Sequence, residues 1–171
     1  MRYELLKILT VDDNQHMRML LGEILKAVGV REIFEAADGA AALRLMHGQA
    51  VDIVVTDLSM TPMDGIEFMR KLRNDSDSPG QLIPVIMLTG HSTAQWVGEA
   101  RDAGVNEFIT KPVTARSVID RIWRVVMKPR PFVRSPTYFG PDRRRRVEQR
   151  YQGPWRRASD PQQQGLEIEL G

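Results

Sequence analysis

No cysteine occurs among the 171 residues. That absence excludes disulfides, thiol nucleophiles and thiolate-bound zinc, and it is compatible with any compartment. Long hydrophobic runs are missing as well. The apolar stretches are too short and interrupted to span a bilayer, and the N-terminus lacks the charged-then-apolar layout of a secretory signal. No membrane span is expected, and the cytoplasm is the default location. A Gly-x-x-x-x-Gly-Lys-Ser/Thr loop is also absent, which disfavours a nucleotide kinase built on that phosphate cradle. Nor does one charge dominate, with 24 Lys and Arg against 22 Asp and Glu. What is present is length enough to bury one good core and carry an appendage.

The near balance of charge conceals a division. Residues 1–127 hold 14 Lys and Arg against 17 Asp and Glu, net −3, whereas residues 128–171 hold 10 against 5, net +5. The high isoelectric point, about 9.1, is therefore a property of the tail and gives no ground for reading the whole molecule as a nucleic-acid binder.

Within residues 1–127 strand-like and helix-like patterns alternate. Residues 5–11 read as a buried strand, with Asp13 or Asn14 able to cap the helix that follows. There Met17, Leu20, Leu21, Ile24, Leu25 and Val28 recur at helical spacing, ended by Gly29. Residues 30–36, 53–55, 84–89 and 107–110 read as further strands; 38–47, 65–73, 93–103 and the stripe of Ile119, Ile122, Trp123 and Val126 read as helices. Strands without polar alternation suit a sheet covered on both faces. Strict alternation implies a parallel sheet with right-handed crossovers and helices on both sides, an α/β doubly wound fold.

Four of the strands end in residues suited to phosphoryl chemistry: Asp12 and Asp13, Asp57, Thr89, and Lys111 before Pro112. Singly each is ordinary, since Asp12-Asp13 reads as a helix cap and Lys111-Pro112 as a turn. Together they lie along the carboxyl edge of the sheet, where ligands of such folds bind. Up to three carboxylates in one crevice repel unless a cation joins them. An oxygen-only donor set favours Mg²⁺. A carboxylate there can attack phosphorus to give an acyl phosphate, with Lys111 as a cationic donor and the Thr89 hydroxyl as a further one.

Asp12-Asp13, Asp57, Thr89-Gly90 and Phe108-Ile109-Thr110-Lys111-Pro112, with Met63-Asp64-Gly65 opening the third helix, resemble the receiver domain of two-component response regulators over about residues 4–127. The resemblance implies a flavodoxin-like, five-stranded parallel sheet in the order 2-1-3-4-5. It implies that Asp57 accepts phosphate from a histidine kinase or phosphotransfer protein and that Asp12, Asp13 and Asp57 hold Mg²⁺ with the Ser59 carbonyl. It further implies that Lys111 contacts the phosphoryl group and that Thr89 and Phe108 form a switch pair acting on an unidentified downstream protein. Such a chain is a signalling phosphoacceptor rather than an enzyme in the ordinary sense. A homodimer formed on phosphorylation is left open. The proline in Met60-Thr61-Pro62-Met63-Asp64-Gly65 falls one residue later than is usual in the family. Ser59 and His91, each two residues beyond a site residue, are expected to border the phosphoryl group and tune its lifetime.

His16 and His47 have polar neighbours and read as solvated. Trp96 and Trp123 are assigned to core packing in preference to a partner-binding role. Residues 128–171 hold six of the ten prolines and several arginine runs, and read as a disordered or loosely docked tail. Within it Tyr138-Phe139-Gly140-Pro141-Asp142-Arg143-Arg144 and Tyr151-Gln152-Gly153-Pro154-Trp155-Arg156-Arg157 share the form Tyr-x-Gly-Pro-x-Arg-Arg. This suggests a short linear motif used twice. Its arginines and aromatics can dock on an acidic protein face or, less favoured, bind nucleic acid or another anionic surface, so that a phosphorylation-gated binder acting through the tail is the alternative. A phosphatase of the haloacid dehalogenase type would need a second aspartate two residues after the nucleophile, and Asp57-Leu58-Ser59 lacks it.

Overall fold

The computed structural model describes residues 1–90 and 94–143. Along the chain run β1 (Lys7–Val11), α1 (Gln15–Val28), β2 (Glu32–Ala36), α2 (Gly39–Gly48), β3 (Ile53–Asp57), α3 (Gly65–Asn74), β4 (Val85–Thr89), α4 (Ala94–Asp102), β5 (Glu107–Thr110) and α5 (Ala115–Met127). A short hairpin of β6 (Phe132–Ser135) and β7 (Tyr138–Pro141) follows. The first five strands form one parallel sheet in the order β2-β1-β3-β4-β5. The expected doubly wound α/β fold is the observed one.

Helix starts are written locally. Asn14 caps α1 by accepting from the His16 and Met17 amides, Asp38 caps α2 through Ala41, and Asp64 caps α3 through Glu67. Thr114 and Ser117 form a reciprocal capping box on α5. Successive strand residues point to opposite faces. Leu9, Val54, Val85 and Met87 therefore meet the helices α2, α3 and α4, while Ile8, Val55, Ile86 and Leu88 meet α1 and α5.

Three expectations about burial fail, each for a geometric reason. Residues 3–5 form a 3₁₀ turn, so β1 starts later than the hydrophobic run suggests and Leu5 is exposed. Leu20 is 44% exposed, because adjacent helical positions differ by about 100° and Leu21 takes the direction of the core. Trp123 stands in the same relation to the buried Ile122 and is 38% exposed, and Trp96 is 42% exposed. Neither tryptophan is a core residue. His16 and His47 are exposed, as expected.

The largest departure lies beyond Met127, where regular structure continues through the β6–β7 hairpin. The hairpin lies at the amino edge of the sheet, against α3 and the turn between α4 and β5. Its anchor is Arg73 of α3, 1% exposed. The Arg73 guanidinium donates to the carbonyls of Gly104 and Gln81 and to Asn106 Oδ1, and Phe132 covers it with its ring centroid 5.0 Å away. Burial lowers its pKa to about 10, so it remains charged at neutral pH. Phe132 and Phe139 contact each other across the hairpin. Gly140 approaches so closely that a Cβ there would sit 2.9 Å from Gly104 Cα and 2.6 Å from the Tyr138 hydroxyl.

Candidate phosphoacceptor site

The carboxyl edge of the sheet gathers the residues singled out from the sequence. Backbone bonds carry the strand ladders one residue further, from the Asp12 amide to Ala36 O and from the Lys111 amide to Thr89 O. Side chains at the ends of β1, β3 and β5 are thereby held at one level. Asp57, the last residue of β3, is 5% exposed, and its Oδ1 lies 2.9 Å from Lys111 Nζ. Asp12 is buried beside it, with Oδ1 accepting from the Asn14 amide and Oδ2 3.9 Å from Lys111 Nζ. Asp12 Oδ2 has no hydrogen-bond partner. Gly65, the first residue of α3, lets that helix approach the site, since a Cβ would fall 2.4 Å from the Asp57 carbonyl oxygen.

One ammonium group faces two carboxylates, and the arrangement is short of positive charge. Burial, with repulsion from Asp57 and Asp13, holds the Asp12 carboxyl above its usual range, although the Asn14 amide and Lys111 pull the other way. Asp13 is exposed, and its carboxylate accepts from the Thr61 amide at 3.2 Å. Among the described residues, no group of three acidic or histidine side chains is close enough to hold a metal ion. Asp12 and Asp57 nonetheless fit a hard divalent cation of the Mg²⁺ kind. Their donors are all oxygen, one of them is a buried oxygen without a hydrogen bond, and such ions take few protein ligands. Ser59 is exposed, two residues past Asp57.

Thr89 closes β4 and is buried. Phe108, in β5, is half-buried against the core on the α2–α3–α4 side. Its carbonyl accepts from Arg121 Nε of α5. The chain at this edge matches the response regulator receiver domain over residues 8–123. The chain belongs to that family.

A receiver of the same family, the chemotaxis protein CheY of Pseudomonas aeruginosa, is 36% identical over 120 residues, covering 70% of this chain and 95% of that protein. The CheY4 structure from Vibrio cholerae is 28% identical, with a TM-score of 0.65, over 70% of this chain and 98% of that one. The receiver domain of the sensor histidine kinase PA1611 from Pseudomonas aeruginosa has a TM-score of 0.64 at 24% identity, covering 72% of this chain and 98% of that one; in it a magnesium ion is coordinated in the active-site cleft. The family match ends at residue 123, so the hairpin and the basic tail lie outside it.

Two supports of the receiver site are absent from the sequence reading. Arg18 of α1 donates from Nη1 to the Asp12 carbonyl at 2.7 Å while Nε meets Glu35 at the end of β2. A cation in the first turns of a helix opposes the helix dipole, and that mismatch was the available sign of a tertiary partner. Arg121, which holds the Phe108 carbonyl and lies 3.6 Å from Glu107, gave no such sign. In the tail motif, Tyr138 and Arg143 belong to the hairpin region at the opposite edge of the sheet. His91, Arg144, Tyr151, Arg156 and Arg157 lie outside the described residues.

Proposed function

We propose that the chain receives a phosphoryl group on Asp57 from a histidine kinase or a phosphotransfer protein, in a reaction that requires Mg²⁺. The observation that carries this reading is the 2.9 Å contact of Lys111 with a buried Asp57, beside a second buried carboxylate with an oxygen that has no hydrogen bond. An Asp57 carboxylate oxygen forms the new P–O bond as the P–N bond of a phosphohistidine breaks, and the nitrogen keeps the electron pair and takes a proton. Lys111 pairs with a phosphoryl oxygen as charge builds there. Asp12, Asp57 and, once released from Thr61, Asp13 would hold the cation with the Ser59 carbonyl. When bound, it neutralises phosphoryl charge that these carboxylates would otherwise repel.

The added phosphate brings close to two negative charges and strong acceptor oxygens to the end of β3. Thr89 answers with its hydroxyl, Phe108 turns further into the core, and the outer surface of α4, β5 and α5 changes for a downstream protein. The exposed Trp96 and Trp123 lie on two of those elements. Ser59 and His91 set how long the phosphate survives. In this reading residues 1–127 receive the signal and residues 128–171 are an appendage to them.

A small phosphodonor with Mg²⁺ should place one base-labile phosphate on the full chain, and Asp57→Ala should abolish it. Equal labelling of the Asp57→Ala variant would end this reading.

A further inference from the structure

The repeated tail motif is not used by the phosphoacceptor chemistry, and its first copy has a legible geometry. Of its five shared positions, the four among the described residues brace one another. Tyr138 donates its hydroxyl to the Pro141 carbonyl, Gly140 leaves the room that this contact needs, and Arg143 stacks on the Tyr138 ring at 3.9 Å. The same arginine then pairs with Asp102 at 3.0 Å, in the last turn of α4. The positions that differ between the copies do other work, since Phe139 meets Phe132. The shared residues thus form a turn that presents an arginine to the acidic end of a helix.

That helix end is charged in a particular way. Glu99 and Asp102 both fall in the closing turn of α4 with Arg101 between them, which leaves one net negative charge at the negative end of the helix dipole. Beside them a groove of about 360 Å³ runs between α3, α4 and the hairpin, walled by Arg70, Asn74, Glu99, Asp102, Tyr138 and Phe139. It offers aromatic surface next to acids, and the second copy carries Tyr151 and Trp155 next to Arg156 and Arg157. Arg143 stands beside the groove, and Tyr151 follows it by eight positions. Eight residues reach up to roughly 27 Å when extended. The tail carries net +5 against −3 for residues 1–127, which favours docking on the same molecule.

We propose that residues 151–157 dock on their own chain in this groove, with the arginine pair directed to the acidic last turn of α4. The two motif copies would then flank one helix end from the same molecule.

The absence of cysteine makes the test direct. In the full chain, Asn74→Cys on the groove wall is combined with Gln152→Cys, at a position the motif leaves variable. The control pair is Glu23→Cys with Gln152→Cys, because Glu23 is exposed on α1, which covers the other face of the sheet. Under mild oxidation, intact mass and non-reducing electrophoresis should report an intramolecular disulfide forming at least fivefold faster in the first pair. Adding Arg156→Ala and Arg157→Ala should lower that rate to the control's. Equal rates for the two pairs, or no response to the arginine changes, would overturn the proposal. A disulfide-linked dimer as main product would also overturn it, by assigning the segment to a second molecule.

Discussion

The two edges of the central sheet solve opposite problems with the same kinds of residue. At the carboxyl edge two buried carboxylates share one lysine, and an oxygen of Asp12 is left without a hydrogen bond. At the amino edge Arg73 is as deeply buried as Asp12, yet its donors meet two carbonyls and an amide oxygen, and an aromatic ring covers it. Burying a charge costs free energy unless hydrogen bonds and opposite charge compensate. At the amino edge hydrogen bonds offset much of that cost within the chain, although burial still lowers the Arg73 pKa to about 10. The carboxyl edge is not compensated in this way, and that deficit leaves room for a cation and a phosphoryl group.

The contrast predicts that substitutions at the amino edge change stability and leave phosphorylation nearly intact, whereas those at the carboxyl edge change phosphorylation and make stability depend on Mg²⁺. The largest expected effect is at Arg73. Arg73→Ala leaves buried acceptors without donors and removes the seat of Phe132, and should lower the unfolding free energy by about 3 kcal/mol. Urea denaturation checks this, while labelling of Asp57 at low temperature should persist. Lys111→Ala at the other edge should slow labelling by a small phosphodonor about 100-fold, and at pH 7 without Mg²⁺ it should also lower the denaturant midpoint, because two buried carboxylates lose their cation. A loss of stability with an unchanged labelling rate would mean that the lysine is mainly structural. Gly140→Ala drives a methyl group toward Gly104 and the Tyr138 hydroxyl. It should cost about 2 kcal/mol without altering the labelling rate.

How much of this was legible in the sequence follows the same division. The parallel sheet was readable because β3 and β4 are buried throughout and their apolar runs are unbroken. The candidate acceptor site was readable because its members follow strands that are neighbours in the sheet, so that topology alone brings Asp12, Asp57, Thr89 and Lys111 to one edge. Whether Asp13 joins them was not, since the Thr61 amide that holds its carboxylate lies 48 positions away. The hairpin was hidden for a related reason. Its strands have four residues each and contain Gly, Pro and Arg, and their order depends on Arg73, which the sequence shows only as the last residue of the third helix. Trp123 misled because residue type was given more weight than its angle from Ile122 around the helix.

Asp12 has the smallest expected effect and gives the sharpest test. Its folded pKa lies above the ordinary value of 3.8, so the folded chain binds that proton more tightly than the unfolded chain does. The stability this contributes is present below the unfolded pKa and is lost as pH rises through the folded one. At neutral pH, without a divalent cation, ionised Asp12 is therefore a cost that Asp12→Asn removes. The deciding measurement is the thermal midpoint of the parent and Asp12→Asn at pH 7, with and without Mg²⁺. Without Mg²⁺ the variant should melt about 3 °C higher, and Mg²⁺ should raise the parent's midpoint more than the variant's. A variant that melts lower than the parent without Mg²⁺, or equal stabilisation of both by the ion, would contradict this.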